Sequence, residues 1–395
     1  MTRDSLRLGY LPLIDAAPLV IAQELGFAAE EGLNLDLIRL QSWAQSRDML
    51  GTGGIDAAQM LVPLPVAQAM GLGPMLPAFD LLMILSQGGQ AIAVSAGLQS
   101  RFAAAGHDIR LDDPVAARAA LQAAGPDNLR VGVPFPFSTQ AELVRHWLDG
   151  SPLRDRLAVR TVPPPQMSDA LASGEIDAFC VGEPWASYAV EAGVGALVLT
   201  GTAIWAAPPE KGLVVTRDFA EGRPDLTGRL MRAVWRSCRW LDRTDNRSTA
   251  AEILSRPGYL NLPPELSERG LLGRLIVTPR GDLRQAPGFI RFHDGAANFP
   301  WRSLAALFAR SLAQRHGLGA GPAADEAIRR ATAAFRTDLY RLHLREAGAD
   351  LPGASARVEG AMGHPTAVSS EKGRMILAPD RFFDGQVFDP GFSLR

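Results

Sequence analysis

The sequence predicts an α/β protein of two similar lobes with a ligand crevice between them. Three observations carry this. A short pattern occurs twice: residues 53–63 read GGIDAAQMLVP and residues 174–184 read GEIDAFCVGEP. In each copy a glycine suited to a helix exit precedes Ile-Asp-Ala, and an apolar run follows that a proline ends. Each copy is thus a helix (43–50 and 166–172), a glycine turn, a strand and a loop at the strand's end, where open α/β sheets leave a crevice. Finally, 395 residues with 47% hydrophobic content suffice for two cores of ordinary size.

The elements follow in order. Residues 6–12 form the first strand, with Leu6, Leu8 and Tyr10 alternating against Arg7 and Gly9. A helix spans 17–24, with Pro18 in its first turn and Gly26 as its stop. A strand covers 34–40, and Ser42-Trp43-Ala44 opens the next helix. Residues 81–85 and 91–95 are strands joined by Ser-Gln-Gly-Gly-Gln. The chain is expected to cross into the second lobe at 95–99. There Asp113 caps a helix that begins with Pro114, and 129–133 is a strand. Thr139 and Glu142 fit a capping box for the helix up to Leu148, whose Leu143, Val144 and Trp147 share one face. Residues 196–200 are a strand, 201–213 the second crossing segment, and 214–216 re-enters the first lobe. Helices are expected at 225–241, 301–316 and 323–344, and 350–395 reads as an ordered wrap. The first lobe is thus 1–95 plus 203–395, the second 96–202, with hinges near 95–99 and 199–213.

Composition excludes several functions. With 40 basic against 42 acidic residues, nothing recommends a nucleic acid or a membrane surface as partner. No apolar run approaches the roughly 18 residues of a membrane span. The amino terminus enters a strand without a leader pattern, which implies the cytoplasm if the chain begins here, or the periplasm if a leader has been removed. Cys180 and Cys238 lie in apolar settings that suit reduced, buried thiols.

Catalytic patterns are missing: there is no GxSxG, HExxH, P-loop or CxxC, and the six histidines show no ligand spacing. No catalytic residue, metal or cofactor is expected. Asp56 and Asp177 read as strand-entry hydrogen-bonding groups rather than as a catalytic pair. An enzyme built on Cys180 is a third alternative, but no basic residue adjoins that thiol in sequence.

Binding groups are better represented. Trp43 can aim an indole N–H into the cleft. Gln90 sits in a glycine-rich turn that lets a ligand approach the backbone. Gln140 stands at a helix start, the end that favours anions. Lys211 is one of only two lysines among 40 basic residues, and Pro-Pro-Glu-Lys-Gly reads as a stiff turn. Pro12, Thr139, Gly182 and Glu183 are further candidates to line the cleft, with Glu183 favoured as an anchor for Trp185. The principal four are all donors, and no carboxylate is required among them. Such a pocket suits a small acceptor-only anion such as nitrate or nitrite.

Several segments together mark a family. LGYLPLIDAAPLVIAQELGFAAEEGL, SWAQSRDML, GGQAIAVS, CVGEPW, PPEKGLVVT, NFPWRS, YRLHLREAG and FFDGQVFDPG run from Leu6 to Gly391. In this order they resemble the nitrate- and bicarbonate-binding proteins of the NrtA/CmpA type and the cytoplasmic NasS-type nitrate/nitrite sensor. The resemblance implies the two-lobed periplasmic-binding-protein fold of type II, with two mixed sheets flanked by helices. It places nitrate-site residues at Trp43, Gln90 and Lys211, and puts Gln140 where a histidine is common. It also implies one of two functions. The sensor members hold an ANTAR-domain antiterminator protein (NasT-like) and release it when the anion binds; the other members are solute-binding components of nitrate or bicarbonate ABC transporters. The missing leader favours the sensor.

Overall fold

The computed structural model describes residues 3–319 and 321–392. Ten strands carry the two lobes: β1 (Asp4–Tyr10), β2 (Leu33–Arg39), β3 (Ala57–Leu61), β4 (Phe79–Gly88), β5 (Gln90–Ser95), β6 (Leu129–Val133), β7 (Leu157–Thr161), β8 (Ala178–Gly182), β9 (Gly195–Thr200) and β10 (Pro209–Thr216). The first sheet runs β4-β10-β3-β1-β2, with the short strand Ile290–Arg291 added beyond β4; the second runs β7-β6-β8-β5-β9. Both are mixed. β1 pairs in parallel with β2 and β3, while β10 runs antiparallel to β3 and β4. In the second sheet β6 pairs in parallel with β7 and β8, and β5 runs antiparallel to β8 and β9. Helices flank both sheets, as the sequence predicts.

The doubled pattern builds the same unit in each lobe. Gly53 and Gly174 both adopt left-handed backbone, at φ 75° and 73°. The aspartate that follows each accepts the main-chain N–H of an arginine on the neighbouring parallel strand: Asp56 from Arg7 at 2.8 Å, Asp177 from Arg130 at 2.9 Å. The same guanidiniums close the pairs at 3.0 Å and 2.8 Å. The strand-entry role expected of these aspartates is the one they occupy.

Three expectations need correction. β5 already belongs to the second sheet, so the first crossing falls at Gly88–Gly89 and not at 95–99. Gly88 takes φ 71° and Gly89 φ 85°, and a Cβ on Gly88 would lie 2.2 Å from the Phe289 carbonyl oxygen. Two glycines thus let the chain pass directly from the first sheet into the second. The return crossing is likewise shorter than 201–213, because 209–216 is strand β10 at the centre of the first sheet. The helix expected over 323–344 breaks into Pro322–Ala333 and Thr337–Leu344, where Phe335 bridges to Leu81 of β4.

Four helices position the site: α1 (Trp43–Gly51), α2 (Thr139–Leu148), α3 (Trp185–Glu191) and α4 (Arg302–Arg315). The cap of α2 differs from the capping box. Ser138 holds the extended N-cap conformation and accepts the Ala141 N–H at 3.1 Å. That frees the Thr139 hydroxyl and the Glu142 carboxylate for contacts with the first lobe. Main-chain bonds sew much of the seam between lobes: Ile14 N–H donates to the Glu183 carbonyl at 2.9 Å, and Leu197 N–H to that of Val277 at 2.8 Å.

The repeat makes a paired prediction. Asp56→Ala and Asp177→Ala each strip a main-chain N–H of its acceptor and should each cost about 1–2 kcal/mol in urea unfolding. A loss at one site only would show that the two copies are not mechanically equivalent.

Candidate functional site

Lys211 lies on β10 between β3 and β4, and its side chain is wholly buried. Regular alternation would send Glu210 and Lys211 to opposite faces of the strand. The ladder to β4 instead shifts register on both sides of Lys211. Such an irregularity re-aims side chains, and here Lys211 Nζ donates to the carboxylates of both Glu210 and Asp15, the latter at 2.9 Å. Asp15 stands on the single turn Ile14–Ala16 that follows β1. Its other oxygen accepts from Gln59 of β3, whose own carbonyl takes the Leu11 N–H at 3.0 Å.

The second lobe closes over this cluster through the start of α2. Gln140 Nε2 donates to Glu210, and the Thr139 hydroxyl donates to the Pro209 carbonyl at 2.6 Å. From the first lobe, Ser42 caps α1 by accepting the Gln45 N–H at 3.2 Å, which sets Trp43 as the first helical residue. The Trp43 ring then lies 5.2 Å from Lys211 Nζ, within cation–π range.

Charge is unbalanced here. Burial pushes both carboxyls up, Glu210 to about 7, with Lys211 opposing the shift in each case and the Asp15 charge adding to it at Glu210. Burial also works against the Lys211 ammonium, but Asp15 and Glu210 more than offset it and hold its pKa above the ordinary value. One ammonium does not balance two carboxylates out of water. Asp15 has both oxygens bonded, whereas Glu210 Oε2 is buried without a partner. Glu210 thus keeps one oxygen at which a proton can sit without displacing a hydrogen bond.

Other polar atoms beside Lys211 are also unpaired. Trp43 Nε1, Gln140 Oε1 and the hydroxyl of Ser86, the β4 register partner of Lys211, are buried with no hydrogen bond. Buried polar groups are nearly always satisfied. Three of these atoms, on Trp43, Gln140 and Glu210, belong to the Lys211 cluster and come from both lobes, and the fourth is on the adjoining strand β4.

Of the four principal residues expected from sequence, the structure brings together Trp43, Gln140 and Lys211. Gln90 opens β5 opposite Gly182, and its amide packs on Gly201 with both polar atoms unbonded. No described hydrogen bond joins Gln90 to the Lys211 cluster. Two parts of the expectation fail. Lys211 is in a strand rather than a turn, and the set is not donors alone, because two carboxylates stand at its centre. The Gln140 donor that was expected to face an anion is spent on Glu210.

The other candidates build the seam. Pro12 accepts the Trp185 indole N–H at 2.8 Å. A Cβ on Gly182 would lie 2.7 Å from Leu13 Cδ2, so the glycine serves close approach of the lobes. Glu183 accepts the Ser187 N–H and hydroxyl, each at 3.0 Å, and anchors the first turn of α3, which begins with Trp185. Burial pushes its carboxyl up to about 7 against those two hydrogen bonds. Sequence reasoning missed Asp15 and Gln59 and gave Glu210 no place in the site. An acid inside the apolar run LPLIDAAPLV was the available signal. Cys180 and Cys238 are buried and free, and burial pushes the Cys180 thiol well up. No three-membered group of metal-ligating side chains occurs among the described residues.

Comparison with known proteins places the chain in a family and agrees with its fold. The NMT1-like family matches residues 2–255. The nitrate/nitrite binding protein NrtA of Nostoc is 31% identical over 75% of this chain and 67% of its own length. The bicarbonate-binding protein CmpA of Synechococcus elongatus is 31% identical over 77% of this chain and 69% of its own. The nitrate import ATP-binding protein NrtC of Synechocystis is 33% identical over 76% of this chain, which spans 44% of that longer protein. Among solved structures, the periplasmic nitrate-binding protein NrtA from Synechocystis superposes with a TM-score of 0.82 at 25% identity, covering 98% of this chain and 96% of that one. The chain belongs to the NMT1-like family and is homologous to the nitrate- and bicarbonate-binding proteins of the NrtA/CmpA type.

Proposed function

We propose that the protein binds a small planar oxyanion, nitrate foremost, beside Lys211 as a solute-binding component of an ABC importer. The supporting observation is the wholly buried ammonium ringed by unpaired polar atoms from both lobes. An indole N–H, a serine hydroxyl and the ammonium donate to the anion. With Glu210 ionised, an added anion would face a net negative cluster. With Glu210 protonated, Lys211 and Asp15 cancel, and the carboxyl O–H becomes one more donor to an acceptor-only anion. Nitrate binding is then coupled to uptake of one proton. Bicarbonate differs because its own O–H can donate to the Glu210 carboxylate.

The relatives named above are binding and import proteins. They favour the importer component over the sensor that holds an ANTAR-domain antiterminator. They also favour binding over chemistry, and the buried, unactivated Cys180 thiol offers no nucleophile. The periplasm is the compartment that accompanies this reading. No helix among the described residues is long and apolar enough to cross a membrane.

Calorimetry against nitrate, nitrite and bicarbonate tests the reading, and absence of saturable binding by all three would overturn it. Nitrate affinity should be level below the Glu210 pKa of about 7 and fall about tenfold per pH unit above it. Glu210→Gln should flatten that profile, and a wild-type affinity without pH dependence would refute the proton coupling. Trp43→Phe removes one buried donor and should weaken nitrate binding by about 1 kcal/mol, roughly fivefold; undiminished affinity would make Trp43 a packing residue. Lys211→Met leaves two buried carboxyls without a cation. It should lower unfolding stability by about 3–5 kcal/mol at pH 8, and by less at pH 5, below the Glu210 pKa of about 7, where that carboxyl is protonated.

A further inference from the structure

None of the residues gathered at Lys211 comes from the segment FFDGQVFDPG at 382–391. Its first four residues make a tight turn, in which Gly385, at φ 75°, donates its N–H to the Phe382 carbonyl at 3.1 Å. Both flanks of the turn are fixed to the first lobe. The Asp380 carboxylate accepts the N–H groups of Gly360 at 3.1 Å and Met362 at 2.8 Å. Phe388 and Glu359 exchange main-chain bonds at 2.8 and 3.0 Å, and Glu359 accepts the Ser303 hydroxyl of α4 at 2.6 Å. Helix α4 in turn packs on the helix Pro63–Ala69 that follows β3.

From that anchorage the turn reaches the second lobe. The Arg118 guanidinium carbon stands 5.5 Å from the centre of the Phe383 ring, in cation–π range. The same side chain donates to the carbonyls of Trp147 and Asp149, at the end of α2, at 3.2 and 3.4 Å. On α2 itself, His146 Nε2 lies 3.3 Å from Asp384 Oδ2, and its ring centre lies 4.8 Å from that of Phe382. The turn also grips the return crossing. Ala206 N–H donates to the Arg381 carbonyl and Phe383 N–H to that of Ile204, each at 2.9 Å, and Trp205 stacks on Phe382. Helix α2 thus meets the first lobe at both ends, through Gln140 at Glu210 and through His146 and Arg118 at the turn. Glu142, between them, is bonded to Ser311 and Arg315 of α4.

We propose that the turn at 382–385 is a latch that holds the second lobe closed and so sets how fast the anion leaves. Opening the lobes carries α2 away from the first lobe. The Phe383 contact with Arg118 and the Asp384 contact with His146 must then break along with the Gln140 bond to Glu210. The ligand enters the open form, before those contacts exist, so the latch acts on release rather than on association. Phe383 is a positioning residue: it acts on the pocket through α2. The effect on release rests on the nitrate reading; the closed population without ligand does not.

The test joins stopped-flow tryptophan fluorescence with nitrate to spin-label distances between the lobes, with labels at Met75→Cys and Glu175→Cys, both exposed positions. Phe383→Ala should speed nitrate release about tenfold, leave the association rate within about twofold of wild type, and lower the closed fraction of the ligand-free protein. Phe383→Tyr keeps the ring and should restore wild-type release and closed fraction, which a general loss of fold would not allow. Arg118→Ala should change release less in the Phe383→Ala background than alone, because both act through one contact. Unchanged release, slowed association in its place, strictly additive effects, or a Phe383→Tyr protein that behaves like Phe383→Ala would each overturn the latch. If nitrate does not bind, the ligand-free distances decide alone. A shift of Phe383→Ala towards the open form then upholds the latch, and an unchanged closed fraction overturns it.

Discussion

A wholly buried lysine governs the design. The Lys211 ammonium forces carboxylates inward, and each carboxylate then fixes a piece of backbone. Asp15 holds the turn after β1 and the side chain of Gln59 on β3. Glu210 draws in Gln140 at the tip of α2. Three neighbouring strands of one lobe and the lead helix of the other are thereby tied to one charge. Removing any member leaves others uncompensated in a buried site, where truncating one partner is far more costly than the pair is stabilising.

Much of the architecture was legible. The doubled Gly-x-Ile-Asp-Ala pattern marks two units with the same aspartate–arginine clamp, and family-like segments run the length of the chain. Boundaries set by glycine pairs were harder to place. Gly88–Gly89 look like an ordinary hairpin turn, yet the strands they join belong to different sheets. Nothing in the local pattern separates these cases, because both need positive φ and both flank apolar runs.

The site was legible in its cation and not in its anions. Lys211 stands out by rarity, and Trp43 and Gln140 by position. Glu210 was passed over because Pro-Pro-Glu-Lys-Gly reads as a turn, whereas it lies in a strand whose register shifts on both sides of Lys211 bring the two side chains together. Asp15 lies 196 residues from Lys211 along the chain. That distance hides the pair from any local reading, although the rule that buried charges need partners demands one. The omission mattered: a set of donors alone points to an anion that carries no proton, whereas a carboxyl at the centre is what leads to the proposal of proton-coupled binding.

Much of the seam between the lobes is main chain. Ile14 meets Glu183, Glu183 meets Gly89, and Leu197 meets Val277 through peptide groups. Even the side chains of Thr139 and Trp185 end on carbonyls, those of Pro209 and Pro12. Peptide groups do not change when residues are substituted. Substitution in the pocket thus leaves these contacts between the lobes in place. Relatives named for nitrate and for bicarbonate, equally distant from this chain at 31% identity, are what such an evolvable frame would leave behind.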